Sequence, residues 1–215
     1  MKLIAVAIVG AAAIASAQQS DAWLQWSPAR AESIAKAAFV RGRVGGVFNT
    51  RLLKTERAYN YKLAATWLTP DVIRATARML QISERISDDQ ARALVAEAEK
   101  AGDTVVMVEI DPREGSGVIP NDWAAFLQAD VTDLEEPRAV RGQDTPRLRE
   151  VKALAGVLRR NYDYDRFWVV FPLKDGDGKP LFTASDTHAE LVVRIFEKEG
   201  RVRWPIPDSV RQRSE

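Results

Sequence analysis

Six polar residues that could bind or transform a ligand lie in and just beyond one loop of the chain. The loop, residues 111–120, contains two glycines and two prolines and follows residues 104–110 (TVVMVEI). That segment is apolar on both faces for most of its length, which predicts a central strand. Ligands of open sheets tend to bind beyond the ends of such strands. Any small-molecule site is therefore expected first at Asp111, Arg113, Glu114, Ser116, Asn121 and Asp122.

The chemistry available to this loop is that of carboxylates. Two carboxyl groups within about 10 Å of each other across a cleft would favour an acid–base hydrolase, and Asp163 or Asp165 could supply one of them. A concave pocket lined by carboxylates, one of them with a raised pKa, would rule out a non-catalytic binding protein in favour of the hydrolase. The loop is not a nucleophile elbow, because Glu114 stands where the first glycine of that motif belongs.

Other catalytic and metal-binding motifs fail on particular residues. The chain contains no cysteine, which excludes thiol nucleophiles and thiolate metal sites. The segment that begins at Asp175 resembles a calcium loop, but Lys179 and Pro180 occupy its fifth and sixth positions, where an oxygen ligand and a glycine are required. His188 is the single histidine. We therefore predict no metal and no cofactor, and we assign no catalytic residue.

The six tryptophans fall into two groups. Trp67, Trp168 and Trp204 lie in segments with strand patterns, which predicts that they fill the core. The other three lie near the starts of segments, where an indole could stack on a sugar or contact a protein partner. These candidates for partner contact are Trp23, Trp26 and Trp123.

Residues 1–17 have the pattern of a secretory signal peptide. Lys2 precedes an apolar run at 3–14, and the small residues Ala15, Ser16 and Ala17 follow. Cleavage after Ala17 predicts a mature chain that begins at Gln18 and is secreted or periplasmic in a bacterium. An uncleaved anchor and a buried first element are the alternatives. A lipoprotein is excluded because the chain has no cysteine, and no later segment approaches the roughly 20 apolar residues of a spanning helix.

Charge is unevenly distributed although the net charge is only +1. Residues 30–78 contain ten Lys and Arg against three Asp and Glu, whereas residues 84–138 contain five against fourteen. The basic segment could face an anionic partner, or the two segments could pair within the fold. Export and the small net charge argue against nucleic acid as a partner.

Periodicity predicts an α+β fold for one globular domain, residues 18–215. An antiparallel or mixed sheet of about five strands is expected, with four or five helices packed mainly on one face. Strands are predicted at 59–67, 104–110, 167–171, 190–197 and 201–206, the last two forming a hairpin whose turn contains Gly200. Helices are predicted at 28–40, 70–80, 87–100, 121–128 and 145–160.

These patterns favour a non-catalytic binding protein of the bacterial envelope or exterior. Its partner would be an envelope or extracellular protein or polymer, because no nucleophile–base pair, metal cluster or cofactor motif can be assembled. The alternative function is a small exported hydrolase that uses paired carboxylates near the loop 111–122.

Overall fold

The computed structural model describes residues 21–42, 61–112, 119, 121–129, 138–157, 164–196 and 198–214. The predicted signal peptide, Gln18, Arg113, Glu114, Ser116 and Asp163 lie outside these residues. The described strands are β1 Tyr61–Trp67, β2 Thr104–Pro112, β3 Ala124–Ala129, β4 Ala139–Arg141, β5 Gln143–Asp144, β6 Asp165–Phe171, β7 His188–Ile195 and β8 Lys198–Pro205. The described α-helices are α1 Pro28–Arg41, α2 Pro70–Glu84, α3 Asp88–Glu99 and α4 Asp208–Ser214.

The strands form two four-stranded antiparallel sheets. Sheet A has the order β1-β2-β6-β5, and sheet B has the order β4-β3-β7-β8. The α+β class is confirmed, but one sheet of about five strands is replaced by two. The reason lies in sheet A, where Val106 and Val108 face one side while Val105 and Met107 face the other. One apolar face is covered by helices, so the other requires a second layer, which sheet B supplies.

The interface between the sheets forms the larger hydrophobic cluster. Val106, Val108 and Phe171 of sheet A face Leu127, Leu191 and Val193 of sheet B in this cluster. The Trp67 ring lies 5.6 Å from the Trp204 ring, so an indole from each sheet meets at the centre. Trp67, Trp168 and Trp204 are all buried, as predicted.

The second cluster lies between sheet A and the helices. Val105, Met107 and Trp168 of sheet A contribute to it, as do Val72 and Ile73 of α2. A 3-10 turn, Ala22–Gln25, buries its Trp23 and Leu24 in the same cluster. None of the described helices is long and apolar enough to cross a membrane.

The N-terminal ends of α1 and α3 are close to their predicted positions because local capping determines them. Ser27 Oγ accepts a hydrogen bond from the backbone N–H of Arg30, and Pro28 follows at the first helical position. Ser87 and Gln90 form a reciprocal capping box at the start of α3. These signals lie within a few residues of each other, so the sequence reveals them directly.

The helix predicted at 121–128 is wrong, since this segment contains β3. Burial alternates along the strand, with Ala125, Leu127 and Ala129 facing the interface between the sheets. Pairing with β4 on one side and β7 on the other overrides the helical preference of its alanines.

The helix predicted at 145–160 is also wrong. Two 3-10 turns, Pro146–Glu150 and Lys152–Leu154, replace its first part. Leu148 and Leu154 are nevertheless buried under the helices. The backbone N–H of Thr145 donates to Trp168 O at 2.8 Å, so the segment starts from a hydrogen bond to β6 rather than from a free helix end.

The hairpin of β7 and β8 is confirmed, but its turn lies elsewhere. Phe196 adopts the left-handed conformation, with φ of 55°, whereas Gly200 lies within β8 opposite Val193. A Cβ atom on Gly200 would lie 2.5 Å from Leu63 Cδ2. Glycine at this position therefore permits close approach of the two sheets and does not form the turn.

Candidate functional site

A cleft with a cavity of about 460 Å³ opens where the chain passes from sheet B to sheet A. β4 ends at Arg141 and β5 begins at Gln143, so one residue, Gly142, separates the two sheets along the chain. The residues that line the cleft come from this crossing, from the start of β3 and from β6. They are Asn121, Trp123, Ala124, Ala125, Arg141, Gly142, Gln143, Asp144 and Val169.

Glycine makes this crossing possible. A Cβ atom on Gly142 would lie 2.3 Å from Val169 Cγ1 and 2.6 Å from the Phe171 ring. The backbone N–H of Gly142 donates to Ala125 O at 2.9 Å, which attaches the crossing to β3. The chain thus passes directly over β6, and its polar neighbours in sequence line the cleft.

Trp123 forms the aromatic part of the cleft. Its side chain is half-buried, and its ring centroid lies 4.8 Å from that of Phe167 at an interplanar angle of 59°. Phe167 packs against the cluster between the sheets, so it supports the indole from a fixed element. Trp123 is therefore held in the cleft while part of its surface remains accessible.

Asp144 is the acidic group among the described cleft residues. Loss of surrounding water by burial raises the pKa of its carboxyl, although the backbone N–H of Thr145 and the charge of Arg149 act in the opposite direction. The residue as a whole remains exposed. A carboxyl whose pKa is raised, in a cleft, is a recognised mark of functional sites.

Together these side chains offer planar hydrogen-bonding groups beside an aromatic surface. Asn121 and Gln143 each provide an amide donor and acceptor, Arg141 provides donors, and the Asp144 carboxylate accepts. Indole surfaces bind the apolar faces of ligands whose edges are polar. The cleft is chemically suited to a small ligand with several hydroxyl groups.

The structure separates the residues predicted around the loop 111–122. Asn121 lines the cleft, and Asp122 is exposed beside it along the chain. Asp111 is buried and forms an ion pair with Lys62 at 3.4 Å. Alternation along β2 places Asp111 on the helix-facing side with Met107, away from the interface between the sheets.

The three tryptophans proposed for partner contact have different surroundings. Trp23 is 4% exposed and lies in the helix-side cluster, so it leaves no surface for a partner. Trp26 is half-buried, and the Arg30 guanidinium covers its ring at 4.9 Å from the centroid. Trp123 alone of the three lines the cleft.

Sequence reasoning missed Arg141, Gln143 and Asp144. Burial alternates at Ala139, Val140 and Arg141 in the structure, but Ala139 and Val140 are both apolar and the strand has only three residues, so the sequence shows no alternating pattern there. The contact with β6 that requires Gly142 is distant in sequence and has no local signature.

The segment that begins at Asp175, which resembles a calcium loop in sequence, forms a turn in the structure. Asp175 Oδ1 accepts hydrogen bonds from the backbone N–H groups of Asp177 and Lys179, which closes a turn. His188 Nδ1 lies 3.0 Å from Thr187 Oγ1. Within the described ranges, no three His, Asp or Glu side chains are grouped as metal ligands.

In the described part of the acidic segment 84–138, three carboxylates form ion pairs with the last third of the chain. Arg166 contacts Glu109 at 2.8 Å, and both side chains are largely buried. Glu84 and Glu99 contact lysine or arginine of the same C-terminal third. Lys62–Asp111 joins the basic segment 30–78 to the acidic one. Internal pairing thus accounts for part of the charge asymmetry.

Comparisons with protein-family models, with curated proteins and with solved structures found no match.

Proposed function

We propose that this chain is an exported, non-catalytic binding protein that holds a saccharide in the cleft between its two sheets. The observation that carries the proposal is the combination of Trp123 with the polar side chains of Asn121, Arg141, Gln143 and Asp144 in one cavity. A volume of about 460 Å³ lies in the range of small-molecule sites.

A saccharide fits because it is polar at its edges and apolar on its ring faces. The indole can cover a ring face, while amide, guanidinium and carboxylate groups can each bind neighbouring hydroxyls. The crossing at Gly142 holds two of these groups on short strands, which limits the entropy lost on binding.

Export is supported by residues 1–17, whose charged start, apolar middle and small residues at the end follow the signal-peptide pattern. Cleavage after Ala17 would leave the domain free in the periplasm or outside a bacterial cell. Mass spectrometry of the exported protein should find Gln18 as the first residue, and retention of Met1 would support the anchor instead.

A small exported hydrolase is the second candidate, and the raised pKa of Asp144 favours it. A protonated Asp144 could donate a proton to a leaving group. The paired-carboxylate mechanism also needs a second carboxyl group in the cleft, but Asp144 is the single carboxylate among its described lining residues. For this reason binding without turnover is the preferred function.

Calorimetric titration of the mature protein with a panel of oligosaccharides tests the binding function. Trp123→Ala should abolish binding, whereas Trp26→Ala should leave it unchanged because Trp26 lies outside the cleft lining. Equal binding by wild type and Trp123→Ala, or no binding of any saccharide, would contradict the proposal.

Release of reducing ends from the bound saccharide separates the two candidate functions. A binding protein should release none. If the wild type releases reducing ends and Asp144→Asn binds the saccharide without releasing them, the hydrolase is correct and Asp144 is its acid.

A further inference from the structure

We propose that the ligand is an acidic polysaccharide that extends from the cleft across the outer face of sheet B, an inference that rests on the proposed saccharide function. We define the arginine face as seven outward side chains of sheet B, six of them charged and one aromatic. These residues are Phe126, Arg141, Glu190, Arg194, Glu199, Arg201 and Arg203.

Strand register places these side chains together. Arg141 is opposite Phe126, Phe126 is opposite Val192, and Val192 is opposite Arg201. This row crosses all four strands, which corresponds to about 14 Å at the usual strand spacing. Helices α2 and α3 pack against the other face of sheet A, and Val210 of α4 belongs to the cluster between the sheets. On the arginine face, Arg141, Arg194, Arg201 and Arg203 are exposed.

An aromatic ring lies within this face. Phe126 is partly exposed, and the Arg194 guanidinium lies 5.1 Å from its ring centroid. Val192, beside it in register, is 2% exposed and belongs to neither hydrophobic cluster, so outward side chains cover it. The face therefore offers a flat, partly apolar surface bordered by guanidinium groups.

The charge of the arginine face is positive. Four arginines accompany two glutamates, and ion pairs fix several of these side chains in place. Arg201 contacts Glu190 at 2.7 Å and Glu199 at 2.9 Å, while Gln128 Nε2 donates to Glu190 at 2.8 Å. An anionic ligand would meet this excess of positive charge on side chains that are already oriented.

Arg141 connects the arginine face to the cleft. It lines the cavity and is also the cross-strand neighbour of Phe126. A chain of sugar units that fills the cleft would therefore continue over Phe126 toward Arg201. A single sugar would fill only the cleft and would not contact Phe126 or Arg201.

The two glutamates of the arginine face favour an acidic polysaccharide as the ligand over a more highly charged polymer such as nucleic acid. Nucleic acid carries about one charge per 1.7 Å of duplex and would place phosphates against Glu190 and Glu199. A polymer of uronic acids carries one carboxylate per unit and several hydroxyls. Its carboxylates can meet arginines while its hydroxyls donate to the glutamates.

The test compares a hexamer of galacturonic acid with its monomer and with a neutral glucose hexamer, by calorimetry at low and physiological salt. The acidic hexamer should bind at least about tenfold more tightly than the other two, and salt should weaken its binding.

Phe126→Ala and Arg203→Gln should each reduce hexamer affinity by about tenfold without changing monomer affinity. Arg147→Gln, an exposed arginine of a 3-10 turn, is the matched control.

Other results would overturn the inference in distinguishable ways. If the hexamer binds no more tightly than the monomer, or the neutral hexamer binds equally, the cleft acts alone and the saccharide function survives. If no saccharide binds, both proposals fail. Tighter binding of single-stranded DNA or of phosphatidylglycerol vesicles would assign the arginine face to a different partner. Melting temperatures close to wild type must accompany each affinity measurement.

Discussion

The Arg138 guanidinium donates a hydrogen bond to the Asp186 carboxylate at 2.7 Å, which joins the residue before β4 to the loop before β7. Asp186 also accepts from the backbone N–H and the hydroxyl of Thr183. Burial by itself would raise the pKa of Asp186, but these hydrogen bonds and the charge of Arg138 outweigh it and lower the pKa. The ionised carboxylate therefore stabilises the folded state.

Asp186→Asn should lower the free energy of unfolding by about 1–3 kcal/mol at neutral pH. Because the folded pKa is depressed, this stabilisation is complete above the unfolded pKa of about 3.9 and is lost as pH falls through the folded value. Urea unfolding at several pH values should show the difference between wild type and variant shrinking in acid. A deficit that stays constant down to about pH 2 would contradict the assignment. Asp177→Asn, at an exposed position, is the control.

Gly142→Ala should destabilise the protein by about 1–3 kcal/mol, because its Cβ atom would overlap Val169 and Phe171. The same change should weaken saccharide binding, since the crossing would have to move. Gly176→Ala is a matched control, because nothing lies within 4 Å of a Cβ atom there. Thermal unfolding of both variants measures the difference, and equal melting temperatures would contradict the predicted overlap.

Ser214→Ala should lower the free energy of unfolding by about 1–3 kcal/mol. The Ser214 hydroxyl is fully buried, donates to Leu173 O at 3.0 Å and accepts from Phe182 N–H at 2.9 Å. Alanine leaves both backbone groups without these partners. Gln212→Ala, exposed on the same helix, should unfold like the wild type. Hydrogen exchange at the Phe182 amide should accelerate in Ser214→Ala, and an unchanged rate would contradict its role.

Asp144→Asn should make the protein slightly more stable at neutral pH. A raised folded pKa means that the protonated carboxyl favours folding below the unfolded pKa and that this advantage is lost as pH rises through the folded value. Asparagine does not ionise, so the Asp144→Asn variant does not lose this stability as pH rises. Unfolding curves should therefore diverge as pH rises from about 3 to about 7 and coincide in acid. Greater stability of the wild type at neutral pH would show that the carboxylate is favourably paired.

The sequence was sufficient to predict elements whose signals are local. Ser27 with Pro28, and Ser87 with Asp88 and Asp89 in the first turn, mark helix starts within a few residues. The central strands β2 and β6 were recognisable because apolar residues occupy both of their faces. The C-terminal helix α4 was missed, since only Val210 and Ser214 of its seven residues are buried.

The candidate site was less predictable because it depends on contacts between distant segments. Asn121 was identified from its position after β2, and Trp123 from its position near the start of a segment. Arg141 and Asp144 come from a segment about twenty residues further along the chain. β3 has the composition of a helix and becomes a strand only through pairing with β4 and β7. Without that strand, the sequence provides no second sheet and no cleft.

The three layers of helices, sheet A and sheet B constrain the evolution of this chain unequally. Sheet A is packed on both faces, so substitutions of the apolar residues of β1, β2 or β6 disturb at least one hydrophobic cluster. On the outer face of sheet B, exposed side chains such as Arg194 and Arg201 belong to neither cluster and can change with little effect on either. Ligand preference can therefore diverge in sheet B while the folding determinants in sheet A remain fixed.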